Sequence, residues 1–153
     1  MPETDNILIS LVARYADGIF AGEKTVEFRR RVMHVEPGTY VWVYVKMPVA
    51  SIVGRVRVGS IHASSPAELW KRFGSVSGLS HPEFCQYFSG SSQGTALVLE
   101  DAQLLPRSLP LQDIREVAKG FHPPQFFVRL SRAHPVLEAV HESLSLPIEA
   151  TLR

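Results

Sequence analysis

Cysteine is nearly absent from this 153-residue chain. Cys85 stands alone, so no internal disulfide can form and the fold must be held by packing. A single cysteine also fits a reducing compartment. No apolar run approaches the roughly 20 residues a membrane-spanning helix needs. Residues 1–6 are polar and acidic and lack the basic-then-apolar order of a signal peptide, so the expected location is cytoplasmic, with no membrane partner. Charge of one sign is not in excess either. A net charge of +1 excludes a protein that coats nucleic acid through bulk electrostatics, although a local basic site stays open.

Several chemical signatures are missing too. His34, His62, His81, His122, His134 and His141 show no ligand spacing, and neither H-E-x-x-H nor paired C-x-x-C occurs. The chain carries no glycine-rich phosphate loop and no serine flanked by nucleophile-elbow glycines. Neither a metal nor a cofactor is therefore expected. Cys85, between Phe84 and Gln86, reads as a buried inert thiol. Trp42 and Trp70 read as core residues, not base-stacking platforms.

What remains is an ordinary globular composition, 45% hydrophobic and 20% charged. The length predicts one domain over residues 1–153, with a core from about 7 to 105 and a C-terminal extension from about 106 to 153. Residues 7–12 form an apolar run expected to be a buried first strand, and 13–21 follow as a helix with Gly22 at its C-terminal cap. Tyr40 to Lys46 is the clearest strand. It sets Tyr40, Trp42, Tyr44 and Lys46 on one face and three valines on the other. Residues 51–62 alternate again, with Gly54 marking a bulge or a close backbone approach. Helices are expected over 64–73, where a serine cap precedes a proline, and from His81 to Phe88. A strand from Thr95 to Leu105, a short helix at 111–115, a last strand at 125–130 and an amphipathic helix at 134–142 complete the reading. Short strands joined by short turns predict an α+β protein built on a small barrel or curled sheet, with flanking helices.

Chemistry concentrates between Gly22 and Arg31, Gly-Glu-Lys-Thr-Val-Glu-Phe-Arg-Arg-Arg. In a strand, Val26 and Phe28 share one face, assigned to the core, while Thr25, Glu27, Arg29 and Arg31 share the other. Lys24 enters the same run. Lys24, Arg29, Arg30 and Arg31 against Glu27 make one dense positive cluster, which Arg14 could join. The pattern equally fits a solvated face whose Glu–Arg pair is worth less than about 1 kcal/mol.

Gly22-Glu-Lys24-Thr-Val-Glu27-Phe-Arg29 resembles the G-x-K-x-x-E-x-R pattern of the ASCH domains, a branch of the PUA-like fold. The similar stretch runs from about Ile7 to Ile61 and extends to Leu99. The resemblance implies a small PUA-like β-barrel with a cleft where the motif's polar residues gather. It also implies a protein that binds RNA or modified nucleotides. Some members are hydrolases: one branch deacetylates acetylated cytidine, and others are linked to RNA cleavage. The motif lysine is catalytic in the deacetylating branch, which points to Lys24. That branch carries threonine where this chain has Glu27.

Three readings follow. In a binding module for single-stranded RNA or a modified nucleoside, Lys24, Thr25, Arg29 and Arg31 hold phosphate or a base edge, with Ser10, Arg14 and Lys46 as further polar contacts. Tyr15, Tyr44 or Tyr87 then stacks the base. In a hydrolase acting on RNA or a modified nucleoside, Lys24 is base or nucleophile, Glu27 activates water, and Arg29 stabilises the developing oxyanion. In the third, Glu27 and Arg29 merely staple one strand to a neighbour.

Overall fold

The structure, a computed structural model, describes residues 4–146. The elements run β1 (Asn6–Leu11), α1 (Ala13–Phe20), β2 (Val26–Arg29), β3 (Tyr40–Val45), β4 (Ser51–Ser64), α2 (Pro66–Phe73) and a 3-10 turn at Gly74–Val76. They continue with α3 (His81–Tyr87), β5 (Gly94–Pro110), α4 (Leu111–Val117), β6 (Val128–Arg129) and α5 (Pro135–Leu144). The strands form one sheet in the order β2-β5-β4-β3-β1-β6. It is antiparallel except where β1 runs parallel to β3. β2 pairs with β5 alone and β6 with β1 alone, so the expected barrel is a curled half-barrel with two open edges.

Three apolar clusters hold the sheet. Val41, Val43 and Val45 of β3 pack inside the curl with Ile7, Ile9, Val56, Leu97 and helix α1. On the opposite face Trp42 and Tyr44 pack with Leu8, Ile52 and the residues of α4 and α5, as alternation in β3 demands. Val26 and Phe28 turn outward from β2 onto Leu69, Phe84 and Phe88 of the α2–α3 region. Phe28 meets Phe84 edge-on at 4.9 Å between ring centres.

Local sequence explains the boundaries that matter for the site. Gly22, at φ +80°, takes the left-handed conformation just past the end of α1, and the chain turns directly into Lys24. Ser80 caps α3 reciprocally with Glu83, two donors satisfied by one short motif. At Gly54 a Cβ would sit 2.5 Å from the Gln103 carbonyl and 2.8 Å from the Phe20 ring, and the pairing register shifts there. The glycine permits a close approach between strands and helix.

Three expectations change. The last strand shrinks to Val128–Arg129, because Phe126 and Phe127 pack their rings on the core and only two residues pair with β1. The 95–105 strand extends to Pro110, following the long β4 through three register shifts. Cys85 is exposed, its Sγ 3.4 Å from His81 Nε2 one helical turn away. Trp42 is fully buried and Trp70 packs on the α2–α3 cluster. Among the described residues no helix is long and apolar enough to cross a membrane.

Candidate nucleotide-binding cavity

Between the two open edges of the half-barrel lies a cavity of about 500 Å³. β2 supplies one wall through Glu27, Phe28 and Arg29, and Arg30 and Arg31 continue it. Gln125 and Phe126, just before β6, supply another. Ser10, Leu11 and Val12 at the end of β1, with Tyr15, Lys46, Leu79, Glu83 and Tyr87, complete the lining. Arg29 Nη1 donates to the Phe126 carbonyl at 3.3 Å, a link between segments next to opposite sheet edges.

Lys24, Glu27 and Arg29 form a buried linear network. Lys24 Nζ lies 3.1 Å from Glu27 Oε1, and Arg29 Nη2 lies 3.1 Å from Glu27 Oε2. The residues are only 3%, 8% and 8% exposed. Lys24 Nζ also donates to the carbonyls of Val26 at 2.8 Å and Ser77 at 2.5 Å. Gly18 and Gly78 hem in the lysine stem, where a Cβ on either would meet it at 3.2–3.3 Å. A carboxylate flanked by two cations carries a net positive charge into a desolvated setting, where charge is costly unless partnered. Arg29 Nε is buried without a partner, as is Ser10 Oγ.

The rim is aromatic and basic. The Arg30 guanidinium lies 5.6 Å from the Tyr87 ring centre, and Arg31 lies 5.8 Å from that of Phe126. The Tyr87 hydroxyl accepts from the Arg30 backbone N–H at 3.3 Å. Burial pushes the Tyr87 phenol above its ordinary pKa, against the opposing pull of Arg29, and burial likewise raises Tyr15. Both therefore remain neutral hydrogen-bonding rings at physiological pH. Arg14 forms a bidentate pair with Glu83 at 2.8 Å, and that pairing with the Ser80 cap lowers the Glu83 carboxyl to about 2.

The structure brings Ser10, Tyr15, Lys24, Glu27, Arg29, Arg31, Lys46 and Tyr87 together around the cavity. Three of the anticipated binding residues stand outside its lining. Arg14 is turned to Glu83 and the Gly78 carbonyl. Thr25 is half-buried, its backbone N–H bonded to Val76 and its carbonyl to Leu99. Tyr44 is buried in the cluster beneath α4 and α5, where the face assignment for β3 puts it with Trp42. Gln125 and Phe126 carry no site signal in the sequence beyond the aromatic pair at 126–127, and Arg30 is read there as part of the positive cluster but not as a binding residue. Arg30 follows the last residue of β2, so alternation no longer sorts it. Among the described residues no cluster of histidine, cysteine or carboxylate groups could hold a metal.

Comparisons with known proteins agree with this architecture. The chain matches the ASCH domain over residues 9–105. It is 34% identical over 125 residues to an ASCH domain-containing ribonuclease of Zymomonas mobilis subsp. mobilis, covering 82% of this chain and 84% of that protein. The crystal structure of ASCH from Zymomonas mobilis superposes with a TM-score of 0.83 at 32% identity, over 89% of this chain and 94% of that one. Human THYN1, solved in complex with 5-methylcytosine-containing DNA, shares the fold at a TM-score of 0.58 and 9% identity, over 94% and 100% of the two chains. With the family matched across most of its length and a relative above 30% identity, this chain belongs to the ASCH domain family.

Proposed function

We propose that this protein binds RNA or a modified nucleotide in the cavity between its sheet edges. The observation that carries the reading is local charge. Lys24, Arg29, Arg30, Arg31 and Lys46 face the cavity against Glu27 and Glu83, on a chain whose net charge is only +1. Glu83 is already matched by Arg14. Local charge therefore draws an anionic ligand to this opening although the chain as a whole is nearly neutral. The volume falls within the roughly 300–1,000 Å³ of small-molecule pockets, enough for one nucleotide. Neutral Tyr15 and Tyr87 offer faces and hydroxyls to a base, as single-stranded recognition uses them. Lys24 and Arg29 supply donors, and Glu27 fixes both.

A second reading, hydrolysis of RNA or of a modified nucleoside, is favoured by the relative named as a ribonuclease. In it Lys24 acts as base or nucleophile, and Arg29 stabilises the charge that develops on the reacting group. Glu27 activates water or shuttles its proton.

Purified protein incubated with short single-stranded RNA and with free modified nucleosides tests both readings. Thermal shift reports binding and chromatography reports products. Stabilisation without product supports binding alone. A product that vanishes with Lys24→Ala, while ligand still binds, makes the protein a hydrolase, because transition-state interactions are then lost preferentially. The Lys24→Ala protein must first be shown to be folded, since its ammonium anchors two carbonyls and Glu27. Absence of stabilisation by every RNA and nucleoside overturns the proposal.

A further inference from the structure

The cavity holds about one nucleotide, yet its mouth is built for more. Arg30 and Arg31 are consecutive, and they diverge. Arg30 lies over Tyr87, the last residue of α3, whose Phe84 packs on β2, while Arg31 lies over Phe126, on the segment that leads to the opposite sheet edge. β2 ends at Arg29, so regular alternation stops and the next two side chains are free to separate. Arg29 then ties its bank to the other through the Phe126 carbonyl. The result is a basic mouth with an arginine–aromatic pair on each side. Both arginines are exposed, and neither has a carboxylate partner among the described residues. Tyr87 keeps 37% of its surface open.

Each pair offers a flat surface and a positive charge, which is what a nucleobase and its phosphate require of a single-strand platform. We propose that the ligand is an internal nucleotide of a single strand: one residue enters the cavity, and its 5′ and 3′ neighbours rest on the Arg30–Tyr87 and Arg31–Phe126 pairs. This inference rests on the binding reading above and narrows its ligand from nucleotides in general to a continuous strand. The strand passes across the gap between the sheet edges. Lys46, an exposed residue of the cavity lining, is placed to hold the backbone of the inserted residue.

The test compares a nucleoside monophosphate with tri- and pentanucleotides of the same central base, by calorimetry on the full chain. Stacking of two flanking bases predicts at least about a tenfold gain for the trinucleotide over the monophosphate, with little more for the pentamer. Arg30→Lys and Arg31→Lys keep the charge but lose the planar stacking surface. Each should cut the ratio of trinucleotide to monophosphate affinity severalfold, whatever it does to the monophosphate affinity itself. Phe126→Leu should act like Arg31→Lys. Equal affinity for monophosphate and trinucleotide overturns the inference while leaving the binding reading intact. Lysine variants that behave as wild type reduce the rim to point charges and overturn it as well. If no nucleotide of any length binds, it is the binding reading that fails, and the inference falls with it.

Discussion

Removing the charge of Glu27 would leave Lys24 and Arg29 with nothing between them but a neutral group, in a place water scarcely reaches. The carboxylate faces a cation on each oxygen, both at 3.1 Å. An amide in its place must turn its NH2 toward one of those cations, donor against donor. Glu27→Gln is thus not a silent isostere here. Breaking a buried pair by deleting one partner typically costs about 3–5 kcal/mol, and Glu27→Gln is expected near the lower end because Lys24 retains two carbonyls. Urea denaturation measures it; a loss below about 1 kcal/mol would mean that the network is solvated and screened. Glu83 gives a residue-scale pH prediction. Its carboxyl is lowered from 4.5 to about 2, first by the Arg14 hydrogen bond and then by the Ser80 cap. A depressed carboxyl stabilises the folded state above its unfolded pKa and loses that contribution as pH falls. The melting-temperature gap between wild type and Glu83→Gln should be full above pH 5 and shrink between about 4.5 and 2. A gap constant down to pH 2 would contradict the assignment.

Elements, more than residues, decide what the sequence made legible. Alternation in β3 sorted its valines from Trp42 and Tyr44 correctly, because a strand buried on both faces still keeps a strict period of two. It placed Val26 and Phe28 together for the same reason. It did not show that Glu27 and Arg29 are buried too, since that depends on the sheet curling over them. Nor did it place Phe126, which reaches the cavity from a segment almost a hundred residues away and holds no regular structure. Cys85 lay beyond local reading as well: on a seven-residue helix the side that is covered is set by the partner it meets. Gly54, by contrast, announced its role. Gly54→Ala forces a Cβ against the Gln103 carbonyl and the Phe20 ring. Overpacking of this kind costs about 1–3 kcal/mol, and chemical denaturation should report a loss of that size. An unchanged midpoint would show that β4 and β5 can separate at the bulge without cost.

At the scale of the whole molecule, the half-barrel leaves two sheet edges unpaired with each other, and the cavity occupies the space between them. A closed barrel would have filled this space with apolar side chains. Here it is lined by a charge network and bridged by the Arg29–Phe126 hydrogen bond. The fold thus sets Lys24, Arg29, Arg30, Arg31 and Lys46 around one opening of an almost neutral chain. That arrangement separates a specific electrostatic site from general stickiness toward polyanions, and salt is the variable that distinguishes them. The most direct measurement is an anisotropy titration of a labelled short single-stranded RNA at several salt concentrations, with wild type and with Lys46→Glu. Three rim cations, Arg30, Arg31 and Lys46, predict a slope of log affinity against log salt of about −2, following roughly −0.7 per phosphate contacted. Reversing Lys46 should weaken binding and flatten that slope. Binding that ignores both salt and the Lys46 reversal, or no binding at any salt concentration, would contradict a nucleotide site in this cavity.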